Sequence, residues 1–197
     1  AGGLGSFAAP LLAPDAIRAG IREIRALTDR PFNVNLFAFA DPGNDQAAIE
    51  RSMAALKPWR DELGLPAPPL PNRFAESQAD QVQVLLEERV PVFSFAFGMP
   101  PREVLAAFRA IGTTIIGTAT TVAEARALEG AGVDVICAQG SEAGGHRGTF
   151  MGPFEDALIG TMALVPQVAA AVKVPVLAAG GIMNGGGIAA ALALGAA

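Results

Sequence analysis

Short apolar runs alternate with longer amphipathic segments along almost the whole chain, and each change of period marks a change of element. The first run, Leu4–Ala9, precedes a segment opened by Pro14-Asp15. In that segment Ile17, Ile21, Ile24 and Leu27 recur at helical spacing, with arginines between them, as far as Thr28. "FNVNLFAF" (Phe32–Phe39) reads as the next strand, followed by an acidic helix from about Asn44 to Leu63. A proline-rich link, "GLPAPPLPNR", leads to a helix over Glu76–Arg89. Then come "VPVFSFAFG" with a helix from Pro101, "TTIIGTA" with a helix from Thr121 that stops at the glycines of "ALEGAGVD", and "VDVICAQG". "VPVLAAGG", with a helix from Asn184, closes the series.

The strands are continuously apolar rather than alternating, as expected for strands buried on both faces of a parallel sheet. Repeated βα units of this kind build either an open doubly wound sheet or a (β/α)8 barrel. Strands that end in glycine at short, regular spacing favour the α/β barrel of TIM type. The excursion over residues 40–75 then reads as an embellishment beside the barrel mouth, too short for a separate domain.

Composition narrows the partners. The 197 residues suffice for one core, and 51% hydrophobic against 17% charged residues excludes a disordered chain. A net charge of −5, with no basic cluster longer than two residues, argues against nucleic acid and anionic membrane surfaces. Cys137 is the only cysteine, so no internal disulfide forms; the expected location is a reducing compartment, the cytoplasm. One histidine and one cysteine make no usual zinc site, and no metal is expected. The longest clean apolar run near the end, "IAAALALGAA", is about half of the roughly 20 residues a membrane span needs.

The candidate chemistry lies in Ala138–Phe150, "AQGSEAGGHRGTF", which follows an apolar strand and holds the only histidine. Loops after the C-terminal ends of barrel strands form the active face. Gly140, Gly144, Gly145 and Gly148 let backbone N–H groups approach a planar or anionic ligand without obstruction by a Cβ. His146, beside Gln139 and Glu142, is the natural acid or base, and a surface histidine on a glycine turn is the other reading. In "AAGGIMNGGG" an apolar strand ends in Gly180-Gly181 ahead of a helix whose N-terminus suits a phosphate; a plain tight turn is the alternative. Asn33 and Asn35 face one side of their strand, and Asn35 is placed to reach a ligand or to serve as a satisfied core amide. Cys137 reads as a small buried hydrophobe and Trp59 as packing. Phe37, Phe39, Phe93, Phe95 and Phe97 read mostly as core, with those at strand ends able to wall an apolar pocket.

Taken together, "GGLGSFAA", "RPFNVNLF", "DVICAQGSEAGGHRGTF" and "PVLAAGGIMNGGGIAAALALGA" resemble the nitronate monooxygenases, formerly called 2-nitropropane dioxygenases. The resemblance implies a TIM-type barrel that binds FMN without a covalent bond and oxidises alkyl nitronates, or nitroalkanes, with O2 to carbonyl compounds and nitrite. It implies that His146 is the active-site histidine, as base or as holder of the anionic nitronate, and that Arg147 forms a structural ion pair. Asn35, Gln139, Gly144, Gly145 and Gly181 would contact FMN, with Gly180 and Gly181 at its phosphate. By the same resemblance residues 1–197 form a single incomplete barrel domain with strands two to seven of eight, residues 147–160 are a second embellishment at the mouth, and a homodimer is the expected assembly. An FMN-dependent enoyl-acyl-carrier-protein reductase shares the "EAGGH" loop and the glycine pair, but "HRGTF" sits on the monooxygenase side. A non-catalytic flavin-binding protein would tolerate loss of His146, and a barrel for a sugar phosphate is the remaining alternative.

Overall fold

The computed structural model describes residues 2–39, 45–70 and 75–197. Six strands, β1 (Gly5–Ala8), β2 (Phe32–Phe37), β3 (Val92–Ala96), β4 (Thr114–Ala119), β5 (Val135–Gln139) and β6 (Val176–Ala179), form one parallel sheet in the order β1-β2-β3-β4-β5-β6. This order separates the two architectures compatible with the sequence pattern. A doubly wound sheet reverses its strand order at a switch point and carries helices on both faces. Here every crossover steps the same way, and right-handed crossovers then put the helices on one face. The sheet curls into a half-barrel of TIM type.

The helices are α1 (Pro14–Leu27), α2 (Gln46–Glu62), α3 (Gln78–Glu87), α4 (Arg102–Ala110), α5 (Val122–Ala131), α6 (Thr161–Ala171) and α7 (Gly185–Ala193). Several start where a polar side chain satisfies an otherwise unpaired N–H: Ser77 accepts from Asp80, Thr121 from Glu124 and Asn184 from Gly187. α5 ends on Gly132 in the left-handed conformation, as "ALEGAGVD" predicts. The arginines between the isoleucines of α1 have a partner: Arg18, Arg22 and Arg25 converge on Glu88 at N–O distances of 3.2, 3.0 and 2.7 Å.

Three expectations change. The apolar stripe of α1 covers Ile17 and Ile21 but not Leu27, which is exposed at the last turn. Trp59 of α2 is exposed rather than packed. α6 has no counterpart in the sequence reading, because "TMALVPQVAAA" is apolar nearly all round and carries Pro166 inside it. Burial of Leu164, Val165 and Val168 stabilises it where no amphipathic stripe announces it.

The chain divides into two compact units, Ala1–Phe39 with Ser77–Ala197, and Ala40–Glu76. The second holds α2, capped by Asp45 and crossed by a Lys57–Asp61 pair at 2.5 Å. Asn44, the expected start of α2, lies outside the described residues, as do Pro71, Asn72 and Arg73 of the proline-rich link.

The two faces of the sheet differ. Val34, Leu36, Phe93, Phe95, Ile115, Ile136 and Val176 are buried on the convex face beneath Ile17, Ile21, Leu85, Leu105, Phe108, Leu128 and Leu164 of the helices. β5 alternates plainly: Ile136 and Ala138 are buried, whereas Val135, Cys137 and Gln139 are half-buried on the concave face. Register places Ser6 beside Asn33, Asn35 beside Ala8 and Ser94, and Thr118 beside Cys137 on that concave face. The strands are therefore not apolar and buried on both sides, as their runs suggested. Their inward positions carry hydroxyl and amide groups, and this polar concavity leads to the C-terminal ends of the strands.

Candidate active site

Two loops at the C-terminal ends of β5 and β6 build the site, and α6 joins them. Gly140 N donates to Ala179 O at 2.8 Å and Ser141 N to Ile159 O at 2.9 Å, which brings the β5 loop across the end of β6. The Glu142 carboxylate accepts from Thr161 N at 2.8 and 3.0 Å and lies 2.9 Å from Thr161 Oγ1. Thr161 Oγ1 also reaches Gly180 O at 2.9 Å. Glu142 thus sits at the N-terminus of α6, where a negative charge meets unpaired N–H donors. Its carboxyl is held below the usual value of 4.5, first by the Thr161 backbone N–H and then by its own backbone, with Arg147 adding a smaller contribution.

That depression has a sign. A carboxyl group whose pKa is lower in the folded state contributes stability above its unfolded pKa, and the contribution disappears as pH falls through the folded value. Glu142→Gln is expected to unfold at a lower temperature than the parent at neutral pH. The two melting curves should approach each other as pH drops below about 4. A difference that stays constant from neutral pH to acid would mean that the carboxylate is not what holds Thr161.

Gly180 and Gly181 both have positive φ, 121° and 69°. A Cβ on Gly181 would lie 3.1 Å from Glu142 Cβ, so glycine is already required there by backbone conformation and by a neighbour within the chain. Gly144 and Gly145 have nothing within 4 Å of an added Cβ; their surroundings are open. Gly144, Gly180, Gly181, Ile182 and Met183 line a cleft of about 590 Å³ that runs along β6 and α7. The open glycines and this cleft are the features that fit a phosphate-bearing planar ligand.

His146 is exposed on the β5 loop, two residues after Gly144 of the cleft. Its ring centroid lies 5.9 Å from that of Phe37 and 5.6 Å from that of Phe97, edge-on to both. Phe37 and Phe97 are themselves 4.7 Å apart in a T-shaped pair, and Phe39 lies 5.9 Å from Phe37. Phe93 and Phe95 are core, as expected, but Phe37, Phe39 and Phe97 are mouth residues. Phe97 holds a left-handed φ of 69°, a conformation that costs a non-glycine residue free energy and that clusters at functional sites.

The side chains beside His146 serve its loop. Gln139 Nε2 donates to His146 O at 2.9 Å, and Gln139 Oε1 accepts from Gly148 N at 2.8 Å. Arg147 donates to the carbonyls of Gln139 and Ala157, so its role is structural, but through carbonyl oxygens rather than the expected ion pair. Burial pulls its guanidinium down, while Glu124 and Glu142 act to raise it. Asn35 Nδ2 donates to Ser94 Oγ at 2.9 Å, and Asn33 Nδ2 donates to the same oxygen at 2.8 Å. Asn33 Oδ1 is buried with no hydrogen-bond partner among the described residues. Cys137 faces the concavity, and burial pushes its thiol up to about 11, which leaves it a poor nucleophile.

The structure therefore gathers Gln139 with His146, and Gly144 with Gly180 and Gly181. Asn35 stands two residues before Phe37 on the strand face that leads to His146. Sequence reasoning missed Ser94, Glu124 and Thr161, whose partners, apart from Thr120 beside Glu124, lie 19 to 61 residues away. Among the described residues no three His, Cys, Asp or Glu side chains converge in a metal-binding cluster, and no helix is long and apolar enough to cross a membrane.

Known proteins place this arrangement. The family described as nitronate monooxygenase matches residues 1–197. The chain is 50% identical over its whole length to a nitronate monooxygenase of Pseudomonas aeruginosa, covering 57% of that protein. It is 44% identical to a nitronate monooxygenase of Paraburkholderia phytofirmans, covering 54% of it. Among solved structures, nitroalkane oxidase from Streptomyces ansochromogenes superposes with a TM-score of 0.88 at 45% identity, over 99% of this chain and 56% of that one. FabK from Thermotoga maritima superposes less well, with a TM-score of 0.70 at 34% identity, over 99% of this chain and 48% of that one. The chain spans about half the length of the curated relatives it matches. With a family match over residues 1–197, a half-barrel of parallel strands in sequential order and a glycine loop carrying His146 at the end of β5, the chain belongs to the nitronate monooxygenase family.

Proposed function

We propose that the protein containing this chain oxidises alkyl nitronates with O2 to a carbonyl compound and nitrite, using noncovalently bound FMN. The observation that carries the reading is the juxtaposition at the strand ends. His146, edge-on to Phe37 and Phe97, shares the β5 loop with open backbone at Gly144 and Gly145, which leads to Gly180-Gly181. Bound FMN would supply the redox chemistry. Gly180, Gly181 and the N-terminus of α7 would hold its phosphate, with Asn35, Gln139, Gly144 and Gly145 along its length. The phenylalanines would exclude water around the reacting carbon and leave His146 as the polar group there. His146 would either take the proton from a neutral nitroalkane or, when protonated, hold the nitronate's negative charge.

In support of this reading, the backbone from His146 to Gly148 is held by Gln139, whose amide donates to His146 O and accepts from Gly148 N. The enoyl-acyl-carrier-protein reductase alternative would require NADPH oxidation coupled to reduction of a crotonyl thioester. The higher identity and TM-score to nitroalkane oxidase than to FabK favour the nitronate reading.

The test is direct. The intact protein should purify yellow, release FMN on denaturation, and form nitrite from a preformed alkyl nitronate under air. A protein that stays colourless after reconstitution with FMN overturns the cofactor assignment. A yellow protein that makes no nitrite but oxidises NADPH with a crotonyl thioester overturns the reaction instead.

A further inference from the structure

Glu124 is the first glutamate of α5, and its side chain is wholly buried, 0% exposed. Helices of this kind usually turn their carboxylates to water, and a buried one needs hydrogen-bond donors at both oxygens. Glu124 has four. Oε2 accepts from Thr120 N at 2.6 Å and from Thr120 Oγ1 at 2.7 Å. Oε1 accepts from Phe150 N at 2.5 Å and from Met151 N at 2.8 Å. One oxygen thus closes the turn between β4 and α5, and the other grips the strand of loop that leaves His146. Thr120 Oγ1 lies 2.9 Å from Thr149 Oγ1 and adds a second link between the same two segments. On its other side the His146 loop is gripped by Gln139, at His146 O and Gly148 N. Only Thr149 separates the two grips.

We propose that Glu124 is a positioning residue for His146: its buried carboxylate fixes residues 149–151, and through them the direction in which the imidazole faces Phe37 and Phe97. This rests on the nitronate-oxidation reading for its kinetic consequence, though not for its geometric one. A carboxylate is required rather than a polar group of the same size. Glutamine at this position has one acceptor oxygen and one NH2 donor. Whichever way its amide turns, the NH2 faces N–H donors, of Thr120 on one side or of Phe150 and Met151 on the other. One of the two grips must open. No bond of Glu124 goes to Gly144, Gly145, Gly180 or Gly181, so the open glycines and the cleft stay as they are.

The experiment is a double-mutant cycle in the intact, flavin-loaded protein with Glu124→Gln and His146→Asn, read by turnover of a neutral nitroalkane and by NMR of the His146 imidazole. The resonance is assigned by its disappearance in His146→Asn. Misplacing one acid or base by about an ångström costs on the order of 10²-fold, and Glu124→Gln should lower turnover by roughly 10- to 100-fold with flavin retained. In the His146→Asn background the same replacement should change turnover by no more than ~2-fold, because the group it positions is gone. The imidazole resonance should move in Glu124→Gln. An equal loss in both backgrounds with an unmoved imidazole would reduce Glu124 to a stabilising residue and overturn the proposal. If the parent shows no nitronate or nitroalkane oxidation, the functional reading fails, and the imidazole measurement still decides the geometric claim. Should Glu124→Gln not fold, Thr149→Val removes only the hydroxyl link to Thr120. A smaller loss that vanishes in the His146→Asn background supports the proposal, and an additive loss overturns it.

Discussion

His146→Asn should leave the intact protein yellow and lower oxidation of neutral nitroalkanes by about 10²–10⁴-fold, the usual cost of losing one positioned acid or base. The side chain is exposed and, among the described residues, makes ring contacts only, edge-on to Phe37 and Phe97, so its removal costs the fold little. The loop does not depend on the imidazole, because Gln139 holds His146 through its backbone carbonyl and Gly148 through its N–H. Those two bonds survive in the asparagine variant, and the glycines that would cradle the flavin are untouched. A comparison of substrates then separates the two roles. If His146 acts as a base, turnover of a preformed nitronate should fall much less, since that substrate has already lost its proton. If it holds the anion, both substrates should suffer alike. Near-parental turnover on both, with flavin bound, would return His146 to a surface histidine on a glycine turn.

Gly140→Ala should destabilise the protein by about 3 kcal/mol or more. A Cβ at Gly140 would lie 1.9 Å from Thr161 Oγ1, 2.5 Å from Thr161 N and 2.6 Å from Thr161 Cα. Two of those atoms are backbone at the start of α6, so no rotamer change relieves the overlap. Overpacking of this kind costs roughly 1–3 kcal/mol. Retreat of α6 would also break the charged hydrogen bonds between Glu142 and Thr161, each worth about 1.5–3 kcal/mol. For a chain of this size 3 kcal/mol corresponds to a fall in Tm of ~6–12 °C. Gly144→Ala is the control, because nothing lies within 4 Å of its added Cβ. Measured on flavin-free protein, it should stay within about 0.5 kcal/mol of the parent. Equal melting temperatures for the two variants would show that the β5 loop does not approach α6 as closely as described. The same close approach explains why a bulky residue at Gly181 is a poor probe of phosphate binding: its positive φ and the nearby Glu142 Cβ would disturb the fold before any ligand is involved.

Much of the site was legible in the chain. The strand before Ala138–Phe150, the helix cap at Asn184 and the cap at Thr121 depend on neighbours a few residues away, and local pattern reports such neighbours well. The roles of the glycines were only half legible. Gly144 and Gly145 have open surroundings, whereas Gly140 and Gly181 are glycine for reasons internal to the chain, Thr161 and Glu142. The phenylalanines divide by strand parity, Phe93 and Phe95 under the helices and Phe37 at the mouth, and the division follows once the sheet has a convex and a concave side.

Sequence by itself determined the series of parallel βα units, the placement of the only histidine on a glycine loop after a strand, and the family resemblance. Tertiary structure decided the rest, and it bears out the TIM-type barrel that the glycine-ended strands favoured. The sequential strand order, which makes a half-barrel rather than a doubly wound sheet, is a property of pairing between strands and leaves no local period. α6 is held by burial on several sides and so shows no stripe. Ser94 meets Asn33 and Asn35 across 61 and 59 residues, Glu124 meets Phe150 across 26, and Glu142 meets Thr161 across 19. Each is a polar side chain that looks like ordinary surface until the barrel curvature brings its partner within 3 Å. Side-chain chemistry is written in the sequence, but which donor faces which acceptor is set by chain segments that only the curled sheet and its helices make neighbours.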